Sequence, residues 1–531
     1  MESRAAVSPS RRPLAASGVL ISLISLFLAC ASLAQARGNA PLQLGVYDNP
    51  SFVDPSVSAG ERNFWLDRAD DAGTGVIRLD LVWRKVLVDQ SVAPVTASNP
   101  ADPNYDFSDY DDAVRAAASK GMSVLLTIWS APEFAEGPAR PPVDCLSGQS
   151  PPDCAPEGSW KPDPTAFADF GAAVATRYSG SFTPLGSSSP LPKVKYLQAW
   201  NEPNLFTFMN PQLNPDGSPF VAGHYRSMLN AFYDAVHAVS PDVVVLGPGT
   251  APAGPGTDAD LARVRTGPLD FMRQMFCVRQ SAGRVTVNCP SKPRFDVFAH
   301  NAIPSASRDI SELPYYPNSD LRPSNFERGT ALLRAVEKLR QVNPAVQGGR
   351  PVWGTEFWTG SNPPDPGAPS LRSQADTIQR AMRMLWEKGA DHFLYFKLRD
   401  EVPYDEVANP GGCVRQCNVG LFPNTATWPF TVADEPPKPA FTAFTFPFTV
   451  ERTSKTKASA WFRPPLKGTA AIESFTKGKW TRIAKIGVRK GVPVTADLSL
   501  TGKARLRARM GSRSSLVWSL PARKSAFKGR S

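Results

Sequence analysis

Hydrophobic and polar positions along this chain alternate between two kinds of segment. Short apolar runs recur: LQLGVYD, VIRLDLVW (76–83), SVLLTIWS (123–130), VKYLQAW, VVVLGPG (243–249), FDVFAHN (295–301), PVWGTEFW (351–358) and HFLYFKL (392–398). They are apolar on successive residues, which fits strands covered on both faces. Between them lie longer segments with helical spacing: ERNFWLDRADDAG, DYDDAVRAAASKG, PTAFADFGAAVATRY, GHYRSMLNAFYDAVHAV, LDFMRQMF, NFERGTALLRAVEKLRQ and QADTIQRAMRMLWEKG. Eight strands, each but the last followed by a helix, predict an α/β fold of the (β/α)8 TIM-barrel type with insertions. A doubly wound open sheet is the alternative; even spacing and the lack of a Gly-rich phosphate loop disfavour it. Beyond residue 446 the helical period stops. Short β-type runs broken by Gly, Lys and Ser there predict a small all-β sandwich.

The first 36 residues read differently. Arg4, Arg11 and Arg12 precede the apolar run GVLISLISLFLACASLA, and Ala34-Gln35-Ala36 offers small residues for cleavage. That is the build of a secretory signal peptide, cut after Ala36. The paired arginines leave Sec and twin-arginine export both open, and a retained anchor ranks behind cleavage. The expected domains are therefore 1–36, 37–446 for the barrel and 447–531 for the sandwich. Setting Cys30 aside, six cysteines fall as close pairs, Cys145/Cys154, Cys277/Cys289 and Cys413/Cys417. Export makes disulfides the expected use of these pairs, with metal binding the rival at Cys413 and Cys417.

Candidate chemistry lies at the strand ends, where a barrel of this kind gathers its reactive groups on one face. The fourth run ends in Asn201-Glu202-Pro203, and the seventh carries Gly354-Thr355-Glu356-Phe357-Trp358. Two glutamates would then face each other across the mouth. Cleavage of a glycosidic bond needs such a pair, one carboxyl to protonate the leaving oxygen and one to attack. On these motifs the stretch from about residue 43 to 446 resembles the retaining glycoside hydrolases of clan A, of the family 5 and family 39 type. The resemblance implies Glu202 as acid/base and Glu356 as nucleophile. It also implies Arg78 in VIRLDLVW as the strand-two arginine that holds the nucleophile charged, and His300 as the strand-six histidine. GLFP (420–423) and KPAFTAF (438–444) look like the segments that close the last unit in this group.

Asn201 is placed to hydrogen-bond a sugar 2-hydroxyl, and Trp129 and Trp358 at strand ends are candidate stacking platforms. Plainer readings remain for some of these residues. Arg78 can serve a core pair with Asp80, His300 can be structural, and Trp129, Trp200, Trp353 and Trp358 can be core fillers. The chain also departs from the group's pattern. Asn301-Ala302-Ile303 follows His300 where a tyrosine is usual, and Tyr395 or Phe396 stands where strand eight usually has tryptophan. The expectation for the sugar floor is Tyr395.

Charge changes the picture last. The chain of 531 residues carries a net charge of +11, but the surplus is not spread evenly. Residues 447–531 hold 20 Lys and Arg against 3 Asp and Glu, while 37–446 hold 36 against 44. An exported basic module suggests attachment to an anionic cell-wall polymer or acidic glycan, not nucleic acid. No cofactor, metal or retained transmembrane segment is expected. The sequence thus reads as a secreted or wall-associated glycosidase acting on a polysaccharide or oligosaccharide, ahead of two rivals. Those rivals are a non-catalytic carbohydrate-binding wall protein and a transglycosylase on the same barrel.

Overall fold

The computed structural model describes residues 40–142, 154–254, 264–281, 284–303, 351–402 and 417–522. The eight apolar runs form β1 (Gln43–Tyr47), β2 (Val76–Val82), β3 (Ser123–Trp129), β4 (Tyr196–Ala199), β5 (Val244–Thr250), β6 (Val297–Asn301), β7 (Val352–Phe357) and β8 (Ala390–Phe396). They pair in the order β1-β8-β7-β6-β5-β4-β3-β2 and close into a parallel barrel. Beyond the single turn Asn49–Phe52, the α-helices among the described residues are α1 (Ala59–Asp71), α2 (Ser108–Ser119), α3 (Pro164–Arg177), α4 (Val221–Val239), α5 (Pro268–Met275), α6 (Leu371–Lys388) and α7 (Pro439–Thr445).

Local chemistry sets several of these boundaries. Asp163 caps α3 by accepting from Ala166 N, with Pro164 in the first turn, where its missing N–H costs nothing. Ser370 caps α6, and Gly389 at φ 120° ends it in the left-handed region that a side chain disfavours.

Strand alternation divides the apolar residues between two cores. Val76, Leu125, Leu246, Val297, Ala299, Trp353 and Leu394 fill the barrel interior. Ile77, Leu79, Val124, Leu126, Val245, Phe298 and Phe393 face outward and pack under the helices. Each such side chain contributes about 1.5–3 kcal/mol by leaving water. Both strand faces are therefore apolar, which is why the sequence runs show so little alternation.

A hairpin that the sequence pattern did not indicate, Val278–Ser281 with Arg284–Val287, follows α5. The Cys277–Cys289 disulfide closes its base. Cys154 and Cys417 are also disulfide-bonded; Cys145 and Cys413 lie outside the described residues, as do the export signal and the helix expected over 325–341. No helix among the described residues is long and apolar enough to cross a membrane.

After α7 comes the sandwich. One sheet joins β9 (Phe448–Arg452), β10 (Lys457–Phe462) and β13 (Val494–Ser499). The other joins β11 (Gly468–Thr476), β12 (Lys479–Val488), β14 (Ala504–Met510), β15 (Arg513–Ser514) and β16 (Trp518–Leu520). Phe448, Val450, Phe462, Ile472, Leu506 and Ala508 form the core between them. The barrel grips this module through backbone and side chain. Leu42 N donates to Gly491 O at 2.9 Å, Arg463 Nε donates to Leu42 O at 2.7 Å, and Phe448 N donates to Gln379 Oε1 at 2.9 Å.

Candidate active site

The chain leaves β4 through two residues that pay for a sharp turn. Trp200 and Glu202 have φ of 71° and 41°, a region costing an L-residue about 1–3 kcal/mol. Neighbouring bonds hold it there. Trp200 N donates to Ile128 O at 2.9 Å, its indole donates to Phe208 O at 2.9 Å, and the ring is fully buried among the outer core. Glu202 N donates to Gly249 O at 3.1 Å. Gly249 itself sits at φ +63°, and a Cβ there would lie 2.4 Å from Gln198 Nε2. Asn204, fully buried, fastens the turn to the next loops by donating to Ala251 O and Thr266 O and accepting from Ala251 N. The product of this bracing is that Asn201 and Glu202 are held at the barrel mouth.

Glu356 reaches the same place by a different device. Along β7, His300 pairs with Gly354 and Asn301 with Glu356, so one step on β6 spans two on β7. On the other side Phe393 pairs with Gly354 and Tyr395 with Phe357, two steps against three. The extra residue is a β-bulge, which re-aims side chains locally. Trp353 faces the interior and Phe357 the outer core. Between them both Thr355 and Glu356 meet partners at the mouth.

One buried network unites the two ends. Arg78 Nη1 donates to Glu356 Oε2 at 3.3 Å and to Thr355 O at 3.1 Å. Its Nε and Nη2 donate to Asp80 Oδ1 at 3.1 and 3.0 Å, and Nη2 also to Asn201 Oδ1 at 3.0 Å. Arg78 therefore serves both the core pair with Asp80 and the carboxyl of Glu356. Asp80 in turn accepts at Oδ2 from Tyr47 Oη at 2.9 Å and Trp129 Nε1 at 3.0 Å. Tyr47 lies beneath the guanidinium at 4.3 Å, a cation–π contact.

Asn301 stands at the centre. Its Nδ2 donates to Glu202 Oε1 at 2.8 Å and to Glu356 Oε2 at 3.2 Å, with Asn201 Oδ1 at 3.4 Å. Thr355 Oγ1 donates to Asn301 Oδ1 at 2.9 Å, which fixes which end of the amide faces the carboxyls. Because one nitrogen touches both glutamates, those two oxygens lie no more than about 6 Å apart.

Electrostatics separates the two acids. Burial, then the charge of Glu356, pushes Glu202 up to about 8. Burial raises Glu356 as well, to about 7, but Arg78 is the strongest influence opposing it. A single proton shared by the pair therefore resides on Glu202, leaving Glu356 as the carboxylate. Burial works against the charge on Arg78, but Asp80 and Glu356 outweigh it and keep the guanidinium protonated. A protonated and an ionised carboxyl at this spacing can deliver a proton to a leaving oxygen and attack the carbon it leaves.

The other expected residues divide. Trp129 is half-buried, bonded to Asp80 and edge-on to Phe208 at 5.1 Å. Trp358 is half-buried, and its side chain favours the charged form of Glu356. His300 is buried with Nδ1 2.9 Å from Thr250 Oγ1, and burial pushes it down to about 4, so the ring is neutral. Trp200 and Trp353 are core residues. Tyr395 corrects the sequence expectation. It is fully buried in the outer core, donates to Val419 O at 2.7 Å and packs against Phe444, facing away from the mouth. Strand parity is the reason: His392 and Leu394 face inward beside Trp353, so Phe396 is the next inward position. Phe396 lies 4.7 Å from the Tyr47 ring and is half-buried.

Asn301, Asp80, Tyr47 and Thr355 are thus absent from the expected set of site residues, and Phe396 entered the reading only as the alternative to Tyr395. A signal existed for two of them: Asp80 lies two residues from Arg78 on one strand face, and Asn301 occupies the position of a missing tyrosine.

No protein-family model and no curated protein matches the sequence. Among solved structures, the chain is similar to a family 39 glycoside hydrolase from Bacteroides cellulosilyticus WH2, at 14% identity and TM-score 0.47, over 87% of this chain and 82% of that one. It is similar to a glucosidase from Croceicoccus marinus at 14% identity and TM-score 0.47, over 87% and 94%. A GH30 endoxylanase from Clostridium papyrosolvens C71 follows at 12% identity and TM-score 0.38, over 87% and 95%. At these levels the functional reading rests on the site's own geometry.

Proposed function

We propose that this chain is a retaining glycosidase acting on O-glycosidic, β-linked bonds of a polysaccharide or oligosaccharide. The observation that carries the reading is the pair Glu202 and Glu356, bridged by one amide nitrogen at 2.8 and 3.2 Å. That spacing suits the direct attack of a retaining enzyme, whose carboxyls lie about 5–5.5 Å apart, better than the wider gap that admits a water first. In the first step Glu356 attacks the anomeric carbon while Glu202 gives its proton to the departing oxygen. The glycosyl–Glu356 ester forms as the glycosidic bond breaks. In the second step Glu202, now a carboxylate, takes a proton from water. The hydroxide oxygen attacks the same carbon and releases Glu356, with net retention.

Glu356→Ala should abolish turnover of every glycoside, since no ester can form. Glu202→Ala should keep turnover selectively on aryl glycosides whose leaving groups need no proton. Equal loss on activated and unactivated substrates in both variants would refute these roles. Export is part of the proposal, supported by the basic, apolar and small-residue order of 1–36 and by the Cys277–Cys289 disulfide. So is attachment of the basic sandwich to an anionic wall polymer, supported by its charge.

A further inference from the structure

The basic surplus of the sandwich has a particular place. Cross-strand register puts Ala471 beside Lys485 and Arg509, Glu473 beside Arg482 and Arg507, and Phe475 beside Trp480. Facing pairs share one side of a sheet. The alternate residues Ile472, Leu506 and Ala508 fill the core, so these point outward. Arg482, Lys485, Arg505 and Arg509 are exposed, and Arg507, Phe475 and Trp480 are half-buried. The face therefore carries five basic side chains and one acid.

Two aromatic rings organise it. Phe475 and Trp480 lie 5.2 Å apart at 59°. The Arg505 guanidinium sits 4.9 Å over Phe475, and that of Arg507 sits 4.2 Å over Trp480. Glu473 accepts from Arg507 Nε at 2.8 Å, which fixes that arginine over Trp480, and lies 3.8 Å from Arg509 Nη1. Stacked guanidinium groups are presented with less loss of freedom than loose ones, and their forks match carboxylates. Residues two apart on a strand repeat at about 6.8 Å and strands at about 4.8 Å, so the charges form a grid.

We propose that this outer face, across β12, β11 and β14, is a binding surface for a linear carboxylate-bearing polysaccharide. The arginines pair with its carboxylates, and the half-buried Phe475 and Trp480 pack on sugar rings. Charge complementarity selects the polyanion, and the aromatic pair among the arginines favours a glycan over a featureless charged surface. The inference rests on the reading of the sandwich as an attachment module and adds where, and to which chemistry, it attaches.

The test uses the full chain and its retardation in gels containing polygalacturonate, across a salt series. Two triple variants remove equal charge: Arg482→Ser with Arg505→Ser and Arg509→Ser on the face, and Lys455→Ser with Lys467→Ser and Lys490→Ser in turns. Circular dichroism melting checks that each folds. The face variant should lose about tenfold in affinity at low salt and the turn variant little, as local pairing predicts over diffuse attraction. Trp480→Ala should weaken binding several-fold without changing its salt dependence. Equal loss in both triple variants would overturn the face while leaving attachment by diffuse charge intact. No retardation of the wild type even at low salt would overturn attachment and face together. Single-stranded DNA competing as well as polygalacturonate would overturn the glycan assignment.

Discussion

Replacing Asn301 by alanine removes the one group that hydrogen-bonds both glutamates among the described residues, and its effect on the pH profile is calculable. The amide donates to Glu202 at 2.8 Å and so favours the charged form of that carboxyl. A hydrogen bond to a charged group is worth about 1.5–3 kcal/mol, and one pKa unit corresponds to about 1.4 kcal/mol. Loss of the bond should therefore raise Glu202 by about one unit or more. The bond to Glu356 is longer, at 3.2 Å, and its loss should raise that carboxyl by less. The proposed mechanism needs Glu202 protonated and Glu356 ionised, so the alkaline limb of kcat/KM would belong to the first and the acid limb to the second. Both limbs should move to higher pH in Asn301→Ala, the alkaline one further, and the bell should broaden as its height falls. Asn301→Asp adds a third carboxylate and should move both limbs further still. The assay is initial rate on an aryl glycoside over the full pH range. A bell of unchanged position but lower height in both variants would show that Asn301 only supports the structure.

Two further outcomes follow from burial. Phe396→Ala should raise KM with little change in melting temperature, whereas Tyr395→Phe should cost about 1 kcal/mol of stability by removing the hydroxyl's bond to Val419 O, which Gln374 Nε2 still reaches at 3.2 Å, and leave KM unchanged; the reverse pattern would refute the parity assignment. Glu202→Gln should stabilise the fold at neutral pH. The folded carboxyl is raised to about 8, so its contribution is favourable in acid and is lost as pH rises towards that value. Thermal melts of variant and wild type should therefore converge near pH 4 and separate above it, and a constant difference would contradict the burial argument.

The order of strands and helices was legible because each segment's period is a local property of the chain. Eight buried runs with helical stretches between them leave few topologies, and Glu202 and Glu356 stand near run ends in plain view. Charge was legible too, since counting needs no coordinates. Parity was not. A run such as HFLYFKL is apolar towards both cores, so nothing in it says whether Tyr395 or Phe396 faces the mouth. The bulge in β7 is likewise invisible, because an extra residue exists only relative to the strands on either side. Asn301 could be noticed as a departure but not placed, since its role depends on three strands converging on one nitrogen. The outward grid on the sandwich depends on register between β11, β12 and β14, which separate loops set. The sequence by itself determined which elements form and which acids are available. Closure of the barrel decided which of their side chains meet, because distance between residues far apart in the chain is fixed only by packing.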